Sequence, residues 1–443
     1  MLGYILLVIA IVLYFKPHLR VYSIFLYLSF LLKGFNLTTD EFIGVKNGDL
    51  AIIYTTVIIG SMILRKKFVS YNTPVTKWIY IFLFFLGCSW LFSYIHYGFS
   101  FYQILQASRS FFLIASYFIF IRLTPNEINK LIPLLLGITV ITSILFCGQI
   151  IAGRPLMPYP GEGLIDEATG LIRLYNSPVF LDFFLVLSFV SEKYFKRNIY
   201  IYRVLFFITL MCTLGRTKIF MTVFAVILAL YLKGGLGKTA KYLVILALFF
   251  LPFSGMIGDR FEKGGTSDDF ETVLKGSYGA DYSNDGGTMT YRLAWVYERW
   301  DYLMKRSFSE QLFGLGFISD SQRICHQMYN FRVGLPDEET GYIGQLATPD
   351  IAYGNLLSRL GILGGLIYLI FVFQLIKRLF IYRKSHILIL VPCVLLSISI
   401  FGSMSGSGLS DPQTFAIYFI GCAFISNLKK NDYQNLVSSN KSI

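Results

Sequence analysis

Apolar residues in this chain gather into long runs separated by short polar connections. Crossing a bilayer takes about 20 mostly apolar helical residues. Runs of that kind fall near 2–15, 21–32, 49–64, 78–94, 104–121, 131–152, 177–191, 198–214, 217–232, 241–257, 358–376, 386–402 and 412–428. That makes thirteen, or twelve if the short first two form one hairpin. Peptide groups in lipid must find their hydrogen bonds within the segment, so the runs predict helices rather than strands. The expected fold class is all-α, a polytopic membrane helix bundle of 12–13 transmembrane helices with one large extracytoplasmic loop. A bundle over 1–257 is followed by a loop over 258–350, further spans over 351–430 and a cytoplasmic tail over 431–443. The first run is read as a helix and not as a cleaved leader, because no small-residue cleavage site follows it and a second apolar run begins at once.

Composition supports this reading. The chain is 55% hydrophobic and 17% aromatic, and only 15% of it is charged, against about 25% in a soluble domain. Lysine and arginine set the orientation. The connections 16–20, 65–77, 122–130, 192–197, 233–241, 377–384 and 429–430 hold 20 of them; the short connections of the other set hold 6. The first set is therefore expected in the cytoplasm, and the large loop outside. That loop carries a net charge of −6 within a chain of +13. The basic excess fits cytoplasmic loops against anionic lipid and gives no reason to expect a nucleic-acid partner. Of the six cysteines only Cys325 lies in the loop, so no disulfide is expected there. The others read as small apolar packing residues.

Within the loop, TMTYRLAWVYERWDYLMKRSF sets Tyr291, Trp295 and Val296 with Tyr302 and Leu303 at helical spacing. This predicts an amphipathic helix beginning near Thr288 or Thr290, of a kind that can lie along a membrane face. The motif LFGLGF after it reads as a turn. Charged residues inside apolar runs are costly and point to function. Arg109, Asp182, Arg216, Lys218 and Arg359 all fall at the expected outer ends of their runs. Snorkelling to the interface explains Lys218 and Arg359 equally well. Arg216, in CTLGRTKIF, has apolar runs on both sides, and a guanidinium there needs an anionic partner. Arg173 and Arg292 lie beyond the same expected face, and arginines converging on one place suit a diphosphate, whose oxygens they pair bidentately. Asp350 opens the helix after the loop, as an N-cap, a general base, or both. His326 is a lesser candidate base. Tyr291, Trp295 and Trp300 are placed either to stack on sugar faces or to form an interfacial belt. No DxD pair or HExxH occurs, so neither a metal nor a cofactor is expected.

With GLIRLYNSP, TLGRTK, TYRLAW with LFGLGF, and PDIAYGNLLSRLGILGG in this order around a large loop, the chain resembles the O-antigen polymerase and O-antigen ligase family. These are Wzy/WaaL-like membrane glycosyltransferases of the GT-C type, and the likeness runs from about Arg109 to Gly365. It implies transfer of a glycan from undecaprenyl diphosphate to an acceptor hydroxyl outside the cytoplasmic membrane of a bacterium, as in O-antigen, capsule or exopolysaccharide assembly. The implied partners are lipid-linked donor and acceptor oligosaccharides, with a chain-length regulator as a protein partner. Arg216 and Arg292 match the family's diphosphate-holding arginines. Asp350 stands where ligases carry a histidine, which favours a polymerase over a ligase. A flippase for lipid-linked sugars is the non-enzymatic alternative; it would favour repeated halves and charges near the midplane, and neither is visible in the sequence. Reporter tags in 65–77, 192–197 and 377–384 should read as cytoplasmic and tags in 258–350 as external. A cytoplasmic signal from the large loop would overturn the orientation.

Overall fold

The computed structural model describes residues 2–39, 46–68, 73–158, 164–165, 170–195, 198–250, 288–317, 351–404, 406 and 408–439. They are mostly helical: α1 (Leu2–Tyr14), α2 (Arg20–Leu31), α3 (Asn47–Leu64), α4 (Pro74–Tyr97), α5 (Phe101–Ser108), α6 (Tyr117–Phe120), α7 (Pro125–Ala152), α8 (Leu181–Val190), α9 (Ile199–Cys212), α10 (Arg216–Phe250), α11 (Thr288–Met304), α12 (Phe308–Phe313), α13 (Ala352–Tyr382), α14 (Ile387–Gly402) and α15 (Ala416–Ser439). Two short strands, β1 (Leu164–Ile165) and β2 (Ile172–Arg173), pair antiparallel. Five of the described helices are long and apolar enough to cross a membrane: α3, α4, α7, the first part of α10 and α13. Large apolar side chains such as Leu64, Phe84, Ile95 and Ile151 face outward, as a lipid-facing surface requires. The chain is a helical membrane protein.

Local signals set the helix ends. Thr124 and Glu127 form a capping box with Pro125 in the first turn of α7, and Gly153, at φ 64°, ends it. Thr73 caps α4 by accepting from the Thr76 N–H, and Gly98, at φ 66°, closes it. The expected spans 217–232 and 241–257 join into one helix, α10, interrupted at Gly235; residues 251–257 lie outside the described set. The span expected at 104–121 is broken. Ser108 turns its hydroxyl back to Ile104 O at 2.7 Å, Arg109 reaches to Asp49, and Arg109–Ser116 tightens into 3₁₀ turns between α5 and α6.

The segment 288–317 packs onto α4 and α13. Its α11 is the predicted amphipathic helix, but the apolar face, with Ala294, Trp295 and Leu303 buried, is turned to protein. Trp295 fills the space left by Gly354, where an added Cβ would sit 1.9 Å from the indole. The LFGLGF motif then wedges between the two long helices. Phe313 stacks on Phe85 at 5.6 Å and on Phe92 at 5.0 Å. Leu315 N donates to Ser358 O at 2.8 Å, and Phe317 N to Ser93 Oγ at 3.1 Å. Gly361 breaks α13 with φ 66° and ψ −170°. A Cβ there would lie 2.3 Å from Gly314 N and 2.4 Å from Leu312 O.

Gly361→Ala should therefore lose stability twice over, from left-handed strain of about 1–3 kcal/mol and from overpacking of similar size. Thermal unfolding in detergent should fall well below wild type. Gly365→Ala, where an added methyl meets nothing within 4 Å, should not change it. Equal unfolding temperatures for the two variants would refute the wedge.

Candidate functional site

One end of the bundle collects most of the candidate residues. The turn between α9 and α10 is tight. Thr213 Oγ1 donates to Leu210 O at 2.7 Å, Leu214 takes a left-handed φ of 52°, and α10 starts at Arg216. Two of the first three residues of α10 are therefore cations. Lys218 Nζ donates to Ser177 Oγ at 2.6 Å, and Thr222 Oγ1, one turn on, donates to Asp182 Oδ1 at 2.9 Å. The segment carrying Ser177 is held by amides. Asn36 Nδ2 donates to Ser177 O at 2.7 Å, Gln149 Nε2 to Asn176 Oδ1 at 2.8 Å, and Asn176 Nδ2 to Pro158 O at 3.3 Å. Arg173 begins this segment, on β2, with its guanidinium 4.9 Å from the Tyr175 ring centre.

Arg292 and Arg359 lie on α11 and α13, which pack on each other. The start of α13 docks at the end of α14, where Ala352 N donates to Ser403 O at 3.1 Å and Tyr353 Oη to Ile400 O at 2.6 Å. Gly402 at that same place lies beside Met221 of α10, less than one turn beyond Lys218. The end of α14 thus joins the helix starts that carry Arg216 and Lys218 to the helix pair that carries Arg292 and Arg359.

Arg109 belongs to a different part of this end. Its Nη1 is 2.6 Å from Asp49 Oδ1, and it lines a pocket of about 230 Å³ with Lys33, Lys46, Asn47 and Gln413. Lys33 opens a left-handed turn through Gly34, Phe35 and Asn36, and Lys46 stands at the N-cap position of α3 with no side-chain cap. Asp411 beside the pocket caps its own turn by accepting from Gln413 N at 3.2 Å. Burial raises its pKa, and the Gln413 amide and Lys33 oppose that rise. Lys33, Lys46, Gln149 and Asn176 were not singled out from the sequence. The lysines sit in polar connections where cations are unremarkable, and the amides show their role only once their partners are known.

Trp295 needs correction as a sugar-stacking residue. It has no exposed surface, and its ring lies against Gly354 with Arg299 packed 3.8 Å over it. Trp300, five residues on, is half exposed. Asp350, His326 and Cys325 lie outside the described residues, and the side chain of Tyr291 is not described. Among the described residues no three His, Cys, Asp or Glu side chains are grouped to hold a metal. Comparison with protein-family models finds no match for this chain, and comparison with curated proteins finds none either.

As a buried packing residue, Trp295 should cost about 3–5 kcal/mol when changed to Ala. The expected outcome is a large drop in unfolding temperature. An unchanged unfolding temperature would return Trp295 to the ligand-facing surface.

Proposed function

We propose that this chain polymerises undecaprenyl-diphosphate-linked oligosaccharide repeat units at the outer face of a bacterial cytoplasmic membrane, as a multi-pass glycosyltransferase with its large loop outside and its C-terminus inside. One observation carries the reading: Arg216 and Lys218 occupy the first turn of α10. A helix start already bears partial positive charge, and two cations added to it suit the binding of an anion. A diphosphate supplies that anion.

In the proposed reaction the bond between the donor's anomeric carbon and the diphosphate oxygen breaks, and the electron pair leaves with the diphosphate. Arg216, Lys218 and Arg292 offset the growing charge from fixed positions, which is where electrostatic catalysis is most effective. Arg173 and Arg359 line the approach. The acceptor hydroxyl oxygen bonds to the same carbon and gives its proton to Asp350. A second reading, transport of lipid-linked sugars, draws on the breaks in α10 at Gly235 and in α13 at Gly361, since discontinuous helices are common at transporter sites. Movement of a fluorescent lipid-linked sugar across liposomes without bond formation would favour it.

Arg216→Lys and Arg292→Lys should keep the charge but lose the planar fork, and so lose most polymerisation of purified lipid-linked repeat units while the protein still accumulates. Full activity in both would refute the diphosphate clamp. Asp350→Asn should keep any helix cap, since Asn caps as well as Asp. As a base, Asp350 should show a rate loss of roughly 10²- to 10⁴-fold. Near-normal chain lengths in that variant would remove Asp350 from the mechanism.

A further inference from the structure

We infer that the pocket bounded by Lys33, Lys46 and Arg109 is a second anion site, built for the phosphate or diphosphate headgroup of a lipid, beside the site at the start of α10. Three cations line one small cavity. Asp49 orients the Arg109 guanidinium through a 2.6 Å contact and Asp411 lies near Lys33, so among the described residues three cations meet two carboxylates. The Gln413 side chain also lines the cavity, and α3 begins here, so its dipole points the same way. The cavity holds about 230 Å³, below the roughly 300–1,000 Å³ of pockets that enclose a whole drug-sized ligand. It therefore fits a headgroup and leaves a chain outside. The remaining walls include Phe30, Ile52 and Leu113, and Ile53 and Val57 continue along α3 as exposed apolar side chains. A cationic cavity opening onto an apolar helix surface matches an amphiphile with a phosphate head.

The two sites share a structural element. Lys33 and Asn36 are the ends of one left-handed turn, and Asn36 holds the carbonyl of Ser177, whose hydroxyl receives Lys218. On the polymerase reading, on which this part rests, one site takes the donor diphosphate and the other the diphosphate of the acceptor lipid.

Binding to the purified full-length protein in a non-ionic detergent tests this, with farnesyl diphosphate and inorganic diphosphate as probes. Wild type should bind two equivalents of farnesyl diphosphate. Lys33→Gln with Lys46→Gln should weaken one of them by about ten- to a hundredfold, the loss expected from charged hydrogen bonds, and leave the other. Lys46→Gln alone, at an exposed side chain, should weaken the same equivalent and serves if the double variant does not accumulate. Two unaltered equivalents in these variants would overturn the inference. Inorganic diphosphate should bind the pocket more weakly than farnesyl diphosphate; equal binding would overturn the lipid assignment in favour of a free anion. Arg216→Gln should remove the other equivalent. If it keeps both while the lysine variants lose one, the clamp at α10 fails and the pocket stands.

Discussion

The contact between Gly314 and Gly361 is the constraint on which this end of the molecule depends. Two backbones approach there closely enough that neither residue can carry a side chain. The approach has two consequences. It breaks α13 two residues after Arg359, so the first turns of that helix run in a direction of their own. It also brings α12 against α4, and with it α11, whose Trp295 fits only because Gly354 leaves a hollow. The two helices that carry Arg292 and Arg359 pack together as a result of glycine geometry.

The two ends of the bundle use cations in opposite ways. Away from the loop segment, Arg203 donates twice to Ser188 O, at 3.1 and 2.7 Å, and Lys233 donates to Val190 O. Both partners are final carbonyls of α8, where positive charge is favourable. At the loop end, Lys46 stands at the N-cap position of α3 and Arg216 and Lys218 begin α10. Each such placement forgoes roughly 0.3–1 kcal/mol that the opposite sign would gain. Asp49 in the first turn of α3 restores part of this, while Ser177 gives Lys218 only a neutral acceptor. A fold optimised for stability alone would place acids there.

Much of this was legible in the chain. The apolar runs located α1 to α4 and α7 to α9, because hydrophobic length is the dominant signal for a helix in lipid. Helical spacing located α11, and LFGLGF read as a turn. Intramembrane charge marked Arg109, Arg216 and Lys218. The break at 109–116 was hidden, since RSFFLIAS is as apolar as a span and only the Arg109–Asp49 pair and the serine back-bonding reveal it. Trp295 was misread for a related reason. Spacing assigned it to the apolar face of α11 but could not say whether lipid, sugar or protein covered that face. The pocket was invisible because Lys33 and Lys46 stand thirteen residues apart in one connection and Arg109 comes from a distant apolar run. It exists only because 33–36 turns left-handed and returns the chain toward α3.

That left-handed turn also bears on how a two-substrate reaction would proceed here. Joining two membrane-bound lipids requires their reactive ends to meet in one orientation, and holding both can lower the barrier by an amount comparable to chemical activation itself. Two separate anion sites would do this only if the distance between them were fixed. Lys33 and Lys218 are joined through Asn36 and Ser177 by short hydrogen bonds, and the segment carrying Ser177 is tied in turn to α7 through Asn176 and Gln149. Amide hydrogen bonds, neutral and directional, set the spacing without competing for the phosphate charge. A lysine or arginine in place of Asn36 or Gln149 would add charge but lose that geometry. The polar residues between Lys33 and Lys218 therefore fix the spacing of these two cations.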